Sequence, residues 1–404
     1  MLQLILVFTL IVFFLARKWD LSYALLLGSV LLGLLFGQSI VDLTQQGVAT
    51  ILDTETLRLM AAVLLIMVLG ELLKAIASTE RLVRSLEALI QDSRLILPIV
   101  PALIGLLPML GGAMFSAPLV EGIGTSLKLR PEQKTYINYW FRHIWEYVLP
   151  LYSGLVLAGA LLSIPLPTLV PAQVPLTLGA IIAGVLFGLR QINPEKKERK
   201  PEGGPASLWR SAGVLALSIW PIALVVLLTL VFRIELALSL VATILLAGLL
   251  NRLSLRTWGG ILRQGLSPRM ALLVIGVMLF KRMVEATGAA STIPAAFTSL
   301  GLPPQIVIFV VPFAAGLSTG MISAAVGISF PLLHPIIVGN AVHLNYAVFA
   351  FAGGFAGMLL SPLHLCLALT KDYFQAQWGP LYRMLVPSVA VVTAIAILLL
   401  FVLD

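Results

Sequence analysis

Long apolar runs separated by short polar segments organise this chain. A helix that crosses a bilayer needs about 20 apolar residues. By that measure residues 2–16, 21–37, 57–76, 134–163 and 172–189 are spans of a first half. Residues 209–232, 234–250, 270–287, 344–370 and 382–403 are spans of a second. Runs 134–163 and 344–370 contain Leu149-Pro150 and Ser361-Pro362, so each predicts a broken helix, because proline removes a backbone donor and clashes with the preceding turn. Runs 95–129 and 304–338 carry a Gly/Pro/Ser cluster at their middle and predict hairpins that enter and leave a membrane on one side. Irregular backbone at that depth is tolerated only inside protein or beside water. Residues 38–56 and 251–268 read as amphipathic segments.

The interruptions repeat. Pro101 precedes Pro312 by 211 residues, Pro118 precedes Pro331 by 213, and Pro150 precedes Pro362 by 212. Each half then has five spans, an odd number, so the second half sits upside down relative to the first. The predicted fold class is an all-α polytopic membrane protein of two inverted repeats, each with five transmembrane helices (one broken) and a re-entrant hairpin. Residues 1–190 form the first repeat, 191–208 a basic linker and 209–404 the second. Matched Gly/Pro interruptions in two halves point to the binding site of a secondary transporter.

Composition agrees. Of 404 residues, 59% are hydrophobic and 11% charged, against about 25% charged in a soluble protein. A net charge of +8 would suggest nucleic acid in a soluble chain. Here the Lys and Arg residues concentrate in 17–20, 74–94, 128–142, 190–210, 251–269 and 371–383, leaving only Arg58, Arg233, Lys281 and Arg282 elsewhere. By the positive-inside rule those segments are cytoplasmic, the N-terminus is outside, and nucleic acid is not a partner. Leu2–Ala16 has no basic residue ahead of it and no small-residue cleavage site after it, and reads as a retained helix. The single cysteine, Cys366, permits no intrachain disulfide and reads as a packing residue.

Candidate binding groups lie at the interruptions. One hairpin tip carries Gly111, Gly112 and Ser116, and the other carries Ser318, Thr319, Gly320, Ser323 and Gly327. A helix starting at such a tip directs free N–H groups and a positive dipole end toward an anion. Ser and Thr hydroxyls with helix-end carbonyls suit Na⁺. At the breaks, Tyr147, Pro150, Ser153, Gly357, Ser361, Pro362 and His364 are candidates, with carbonyls near Glu146–Tyr147 and Met358–Leu359 freed for an ion. Among intramembrane ionisable residues, Arg142 and Glu146 have pairing spacing, as do Lys281 and Glu285, whereas Glu71 lacks a partner four residues on. Glu121, about a turn past the first tip, is the candidate for handling a proton or cation. The histidines at 143, 334, 343 and 364 match no metal motif, and no P-loop or His-Glu-x-x-His is present.

Leu360-Ser-Pro-Leu-His-Leu-Cys-Leu-Ala-Leu-Thr-Lys-Asp-Tyr-Phe374 and the tip Leu110–Pro118 resemble the family called domain of unknown function 401. The overall architecture resembles the ion transporter superfamily, which includes citrate, gluconate and C4-dicarboxylate carriers. That resemblance implies an elevator motion and a homodimer in the plasma membrane. The tips here read Gly-Gly-Ala-Met-Phe-Ser and Ser-Thr-Gly-Met-Ile-Ser in place of the Ser-Asn-Thr of dicarboxylate carriers, so that specificity does not carry over. The expected function is Na⁺- or H⁺-coupled carriage of a small organic anion, without a cofactor beyond Na⁺. The alternatives are a monovalent cation/proton antiporter using Glu121, Glu146 or Glu285 and, more remotely, an intramembrane enzyme.

Overall fold

The structure is a computed structural model that describes residues 2–17, 19–76, 92–107, 112–190, 192, 204–289, 301, 303–339 and 341–403. Eighteen α-helices and no strand occur among them. In the first half these are α1 (Leu2–Ala16), α2 (Leu21–Leu35), α3 (Ile40–Leu52), α4 (Thr54–Ala75), α5 (Ser93–Ile104), α6 (Ala113–Ser126), α7 (Pro131–His143), α8 (Ser153–Leu161) and α9 (Leu166–Gly184). The second half contributes α10 (Gly204–Val226), α11 (Leu236–Leu250), α12 (Leu255–Gly265), α13 (Pro268–Ala286), α14 (Pro304–Thr319), α15 (Ile322–Ile337), α16 (Leu344–Leu360), α17 (Leu365–Phe374) and α18 (Trp378–Leu399). One π-helical turn extends each of α9 and α10, at Val185–Leu189 and Leu227–Val231.

The protein is helical and built for a membrane. Among the described residues five helices are long and apolar enough to cross a bilayer, against the ten spans expected: Thr54–Ala75, Leu166–Leu189, Gly213–Val231, Leu344–Phe374 and Trp378–Leu399. Several of the other expected spans are short. α1, α2 and α11 have 15 residues each, or about 22 Å of helix against about 30 Å of hydrocarbon. α13 carries Arg269, Lys281, Arg282 and Glu285 within its 19 residues. α9 starts at Leu166 rather than near 172 and contains Pro171 and Pro175, so the loop expected there is helix. The amphipathic segments fold as α3, opened by a capping box between Ser39 and Asp42, and α12, capped by Ser254.

Helix order repeats between the halves. The starts of α7, α8 and α9, at 131, 153 and 166, correspond to those of α16, α17 and α18, at 344, 365 and 378. The packing is reciprocal as well. α2 packs on α13 and α11 on α4; α3 packs on α13 and α12 on α4; α6 packs on α17 and α15 on α8. α4 also packs on α13, and α9 on α18. Contacts of i on j matched by j′ on i′ are what a two-fold axis generates.

Several charges pair between helices. Asp20, which caps α2, pairs with Arg269 at the start of α13. Glu132 accepts a hydrogen bond of 3.1 Å from the Gln377 N–H, which joins segments 128–142 and 371–383. Three of the four basic residues outside the expected cytoplasmic segments have acidic partners: Arg58 with Glu235 at 3.9 Å, Lys281 with Glu55 at 3.8 Å and Arg282 with Asp53 at 3.5 Å. The pairing expected between Lys281 and Glu285 is thus replaced by one to α4. The lone Glu71 of the sequence reading instead pairs three residues on, with Lys74, at 2.6 Å.

Candidate functional site

Both helix breaks form where proline demands them. After His143, residues 144–152 make isolated turns, with the Leu149 N–H donating to the Trp145 carbonyl at 2.8 Å, and helix resumes at Ser153. Pro150 has no N–H to give and disfavours helical backbone at Leu149. α16 stops at Leu360, Ser361 is extended, and α17 starts at Leu365 after Pro362. The Ser361 hydroxyl donates to the Leu317 carbonyl at 2.7 Å and accepts from the Leu363 N–H at 3.2 Å, which fastens the second break to α14.

The tips meet the breaks. α14 ends at Gly320, whose φ of 67° lies in the left-handed region. A Cβ there would stand 2.6 Å from the His364 backbone nitrogen, so glycine is needed both for conformation and for space. The Gly320 carbonyl accepts from His364 Nδ1 at 2.6 Å. At the other tip, Gly112 precedes α6, and a Cβ on it would lie 2.7 Å from Arg142 Nε. α6 begins without a side-chain cap, beside that guanidinium.

Four ionisable side chains collect at this crossing. Arg142, His143 and Glu146 are 3%, 2% and 7% exposed. Arg142 Nη1 lies 3.6 Å from Glu146 Oε1 and donates to the Tyr152 hydroxyl at 3.2 Å, and that hydroxyl donates to the Gly105 carbonyl. His143 Nε2 lies 3.8 Å from Glu146 Oε1 and 3.1 Å from His364 Nε2. His143 Nδ1 faces the Tyr139 carbonyl at 2.6 Å. The His143 and His364 rings are edge-on, 5.0 Å apart, with Tyr139 against both. The buried Cys366 thiol lies within 4.8 Å of both imidazoles.

The structure brings together only part of the expected set. Ser153 and Ser323 share a hydrogen bond of 2.8 Å between the first break and the second tip. Glu146 and His364 join the central cluster. Ser116 is buried and donates to the Ala113 carbonyl at 3.2 Å, and Thr319 donates to the Ala315 carbonyl at 2.7 Å. Ser318 is half-buried, Pro150 buried and Pro362 exposed. Gly327 and Gly357 are packing positions: a Cβ would meet Val277 of α13 at 2.9 Å in one case and the Leu317 nitrogen of α14 at 2.9 Å in the other. Tyr147 packs edge-on against Phe355 at 4.4 Å, and with Trp140, Ile144 and Leu359 it walls in His143. Glu121 is held by Lys134 at 2.8 Å and by Thr125 at 2.8 Å, on a side chain 42% exposed. Gly111 lies outside the described residues.

The carbonyls expected to be free at the second break are engaged. Met358 accepts from the Ser361 N–H at 3.1 Å, Leu359 from the Tyr139 hydroxyl at 3.1 Å and Leu360 from the Tyr382 hydroxyl at 2.7 Å. Sequence reasoning missed these tyrosines, and also Asn138 on α7. Asn138 Nδ2 donates to the Ala113 carbonyl at 2.9 Å and lies 3.5 Å from Thr370 Oγ1, while its fully buried Oδ1 has no hydrogen-bond partner among the described residues. Nothing in the sequence singled it out, because Asn138 lies on a helix that already carries Glu132, Gln133, Lys134, Arg142 and His143.

Comparison with curated proteins found no match. A family model described as "Protein of unknown function (DUF401)" matches residues 1–403, and the chain belongs to that family.

Proposed function

We propose that this protein is a secondary active transporter of the ion transporter superfamily type, carrying a small organic anion with a coupling cation. One observation carries the reading: two helix breaks and two helix-pair tips, one of each from either half, converge on a buried cluster of Arg142, His143, Glu146 and His364. Buried ionisable groups inside a membrane protein mark substrate and ion paths. Arg142 and the open start of α6 supply donors for a carboxylate. The Asn138 Oδ1, without a hydrogen-bond partner among the described residues, is an oxygen of the kind Na⁺ uses.

In this reading α5–α6 and α14–α15 are re-entrant hairpins, the halves are inverted repeats in the plasma membrane with the N-terminus outside, and the moving unit rides as an elevator within a homodimer. Reciprocal packing of the halves supports such a two-fold arrangement. The test is uptake of a panel of radiolabelled carboxylates into proteoliposomes under a Na⁺ or proton gradient. Gradient-stimulated accumulation of at least one anion, lost in Arg142→Gln, is expected. Absence of accumulation for every anion under either gradient sinks the proposal. The antiporter alternative now runs through Glu146 rather than Glu121, because Glu121 is already neutralised by Lys134. A Glu146→Gln variant that abolishes Na⁺-driven quenching of a pH-gradient dye, with no anion uptake in the parent, would favour it.

A further inference from the structure

The two imidazoles at the crossing face each other in a way that neutral histidines alone do not satisfy. Carbonyl oxygens only accept, so the Nδ1 atoms facing the Tyr139 and Gly320 carbonyls at 2.6 Å must both carry hydrogen. A neutral ring with its proton on Nδ1 presents a bare lone pair at Nε2. His143 Nε2 and His364 Nε2 therefore point two lone pairs at each other across 3.1 Å, and something positive belongs between them or beside them.

We infer that this is a metal site for a late first-row divalent cation such as Zn²⁺, held by His143 Nε2, His364 Nε2 and Cys366 Sγ, with Glu146 as the fourth donor. The three ligand atoms lie within 4.8 Å of one another, and the Glu146 oxygen is 3.8 Å from His143 Nε2. Ligands on a tetrahedral zinc, with bonds of about 2.0–2.3 Å, stand roughly 3.3–3.7 Å apart. The nitrogens, 3.1 Å apart, need to part by only about 0.2–0.3 Å, and the sulfur needs a shift of about 1 Å. Metal-bound histidines ordinarily donate their other ring N–H to a carbonyl or carboxylate, which is the arrangement both Nδ1 atoms have here. One thiolate, one carboxylate and two neutral imidazoles suit a borderline-soft ion better than Na⁺ or Mg²⁺. As the sulfur–metal bond forms, the Cys366 proton leaves to solvent. The divalent ion then balances thiolate and carboxylate, and Arg142 keeps one net positive charge for an anion. His364-x-Cys366 comes from one break and His143 and Glu146 from the other, so a bound ion would tie the two halves together.

The inference stands or falls separately from transport. Full-length protein purified in detergent and stripped with a chelator is titrated with Zn²⁺ and, separately, Co²⁺. About one ion per chain is expected, with Co²⁺ producing visible tetrahedral bands and near-ultraviolet thiolate charge transfer. Cys366→Ser should remove the charge-transfer band, and His364→Gln should weaken binding by about tenfold or more. If either variant unfolds, Cys366→Ala assayed for the band at the parent's thermal midpoint replaces it. Binding well below one ion per chain, or binding that these substitutions leave unchanged, overturns the site. A pair that takes up one proton but no metal also overturns it.

Discussion

The two breaks share a place in the repeat and almost nothing in chemistry. Residues 142–146 read Arg-His-Ile-Trp-Glu, and the positions 212 residues on, 354–358, read Gly-Phe-Ala-Gly-Met. In the first half α7 turns charged groups inward. In the second, Gly353 and Gly357 let α16 lie against the α14 backbone, where a Cβ would stand 3.1 Å from the Phe309 Cα and 2.9 Å from the Leu317 nitrogen. The two halves thus divide their tasks: one supplies charge, the other a close-packed wall that aims His364 at it. Only the wall can hold its place without polar compensation, because small residues let helix backbones approach within a membrane.

Substitutions that swap these tasks should fail most severely. Gly357→Leu drives a side chain into the α14 backbone and should cost about 3 kcal/mol or more, read as loss of the monodisperse peak in size-exclusion chromatography. A well-folded variant would show that the wall is not close-packed. Arg142→Gln leaves the buried Glu146 without its guanidinium and should cost about 3–5 kcal/mol in thermal or denaturant unfolding. Adding Glu146→Gln should restore part of that loss, and a double variant no more stable than the single one would remove the ion pair from the account. Tyr139→Phe strips the donor from the Leu359 carbonyl and should cost about 1–3 kcal/mol, followed by scanning calorimetry. Glu121→Gln, on a side chain 42% exposed whose partner Lys134 is buried, should shift stability by about 1 kcal/mol or less. A large effect there, in stability or in transport, would return Glu121 to the functional set.

Much of the architecture was legible because proline and glycine announce themselves. Pro150, Pro362 and Gly320 each force an irregular backbone, and each marks a junction in the structure. The prolines at 150 and 362 stand 212 residues apart, the spacing at which the helix order of the two halves matches. Span lengths were less legible: the span expected to begin at 172 begins at Leu166, six residues earlier. The site was half-legible. Glu146, Ser153, Ser323 and His364 stood out locally, whereas His143 meets His364 across 221 positions of sequence, and no spacing rule reaches that far. Tyr139, Tyr152 and Tyr382 were not legible because only their hydroxyl tips act, each donating to a backbone carbonyl near a break or tip.

The reciprocal packing bears on how such a chain is made. During synthesis α6 and α8 emerge long before α17 and α15, the helices against which they come to rest. The first half therefore waits with its destined neighbours unmade, and until the ribosome has passed residue 364 Arg142 and Glu146 have only first-half partners, each other together with Tyr152 and His143. Their pairing within one helical turn works as a holding arrangement for an unfinished protein. Biogenesis, as much as activity, gives a reason for the charges to sit in the half that is born first and to sit side by side.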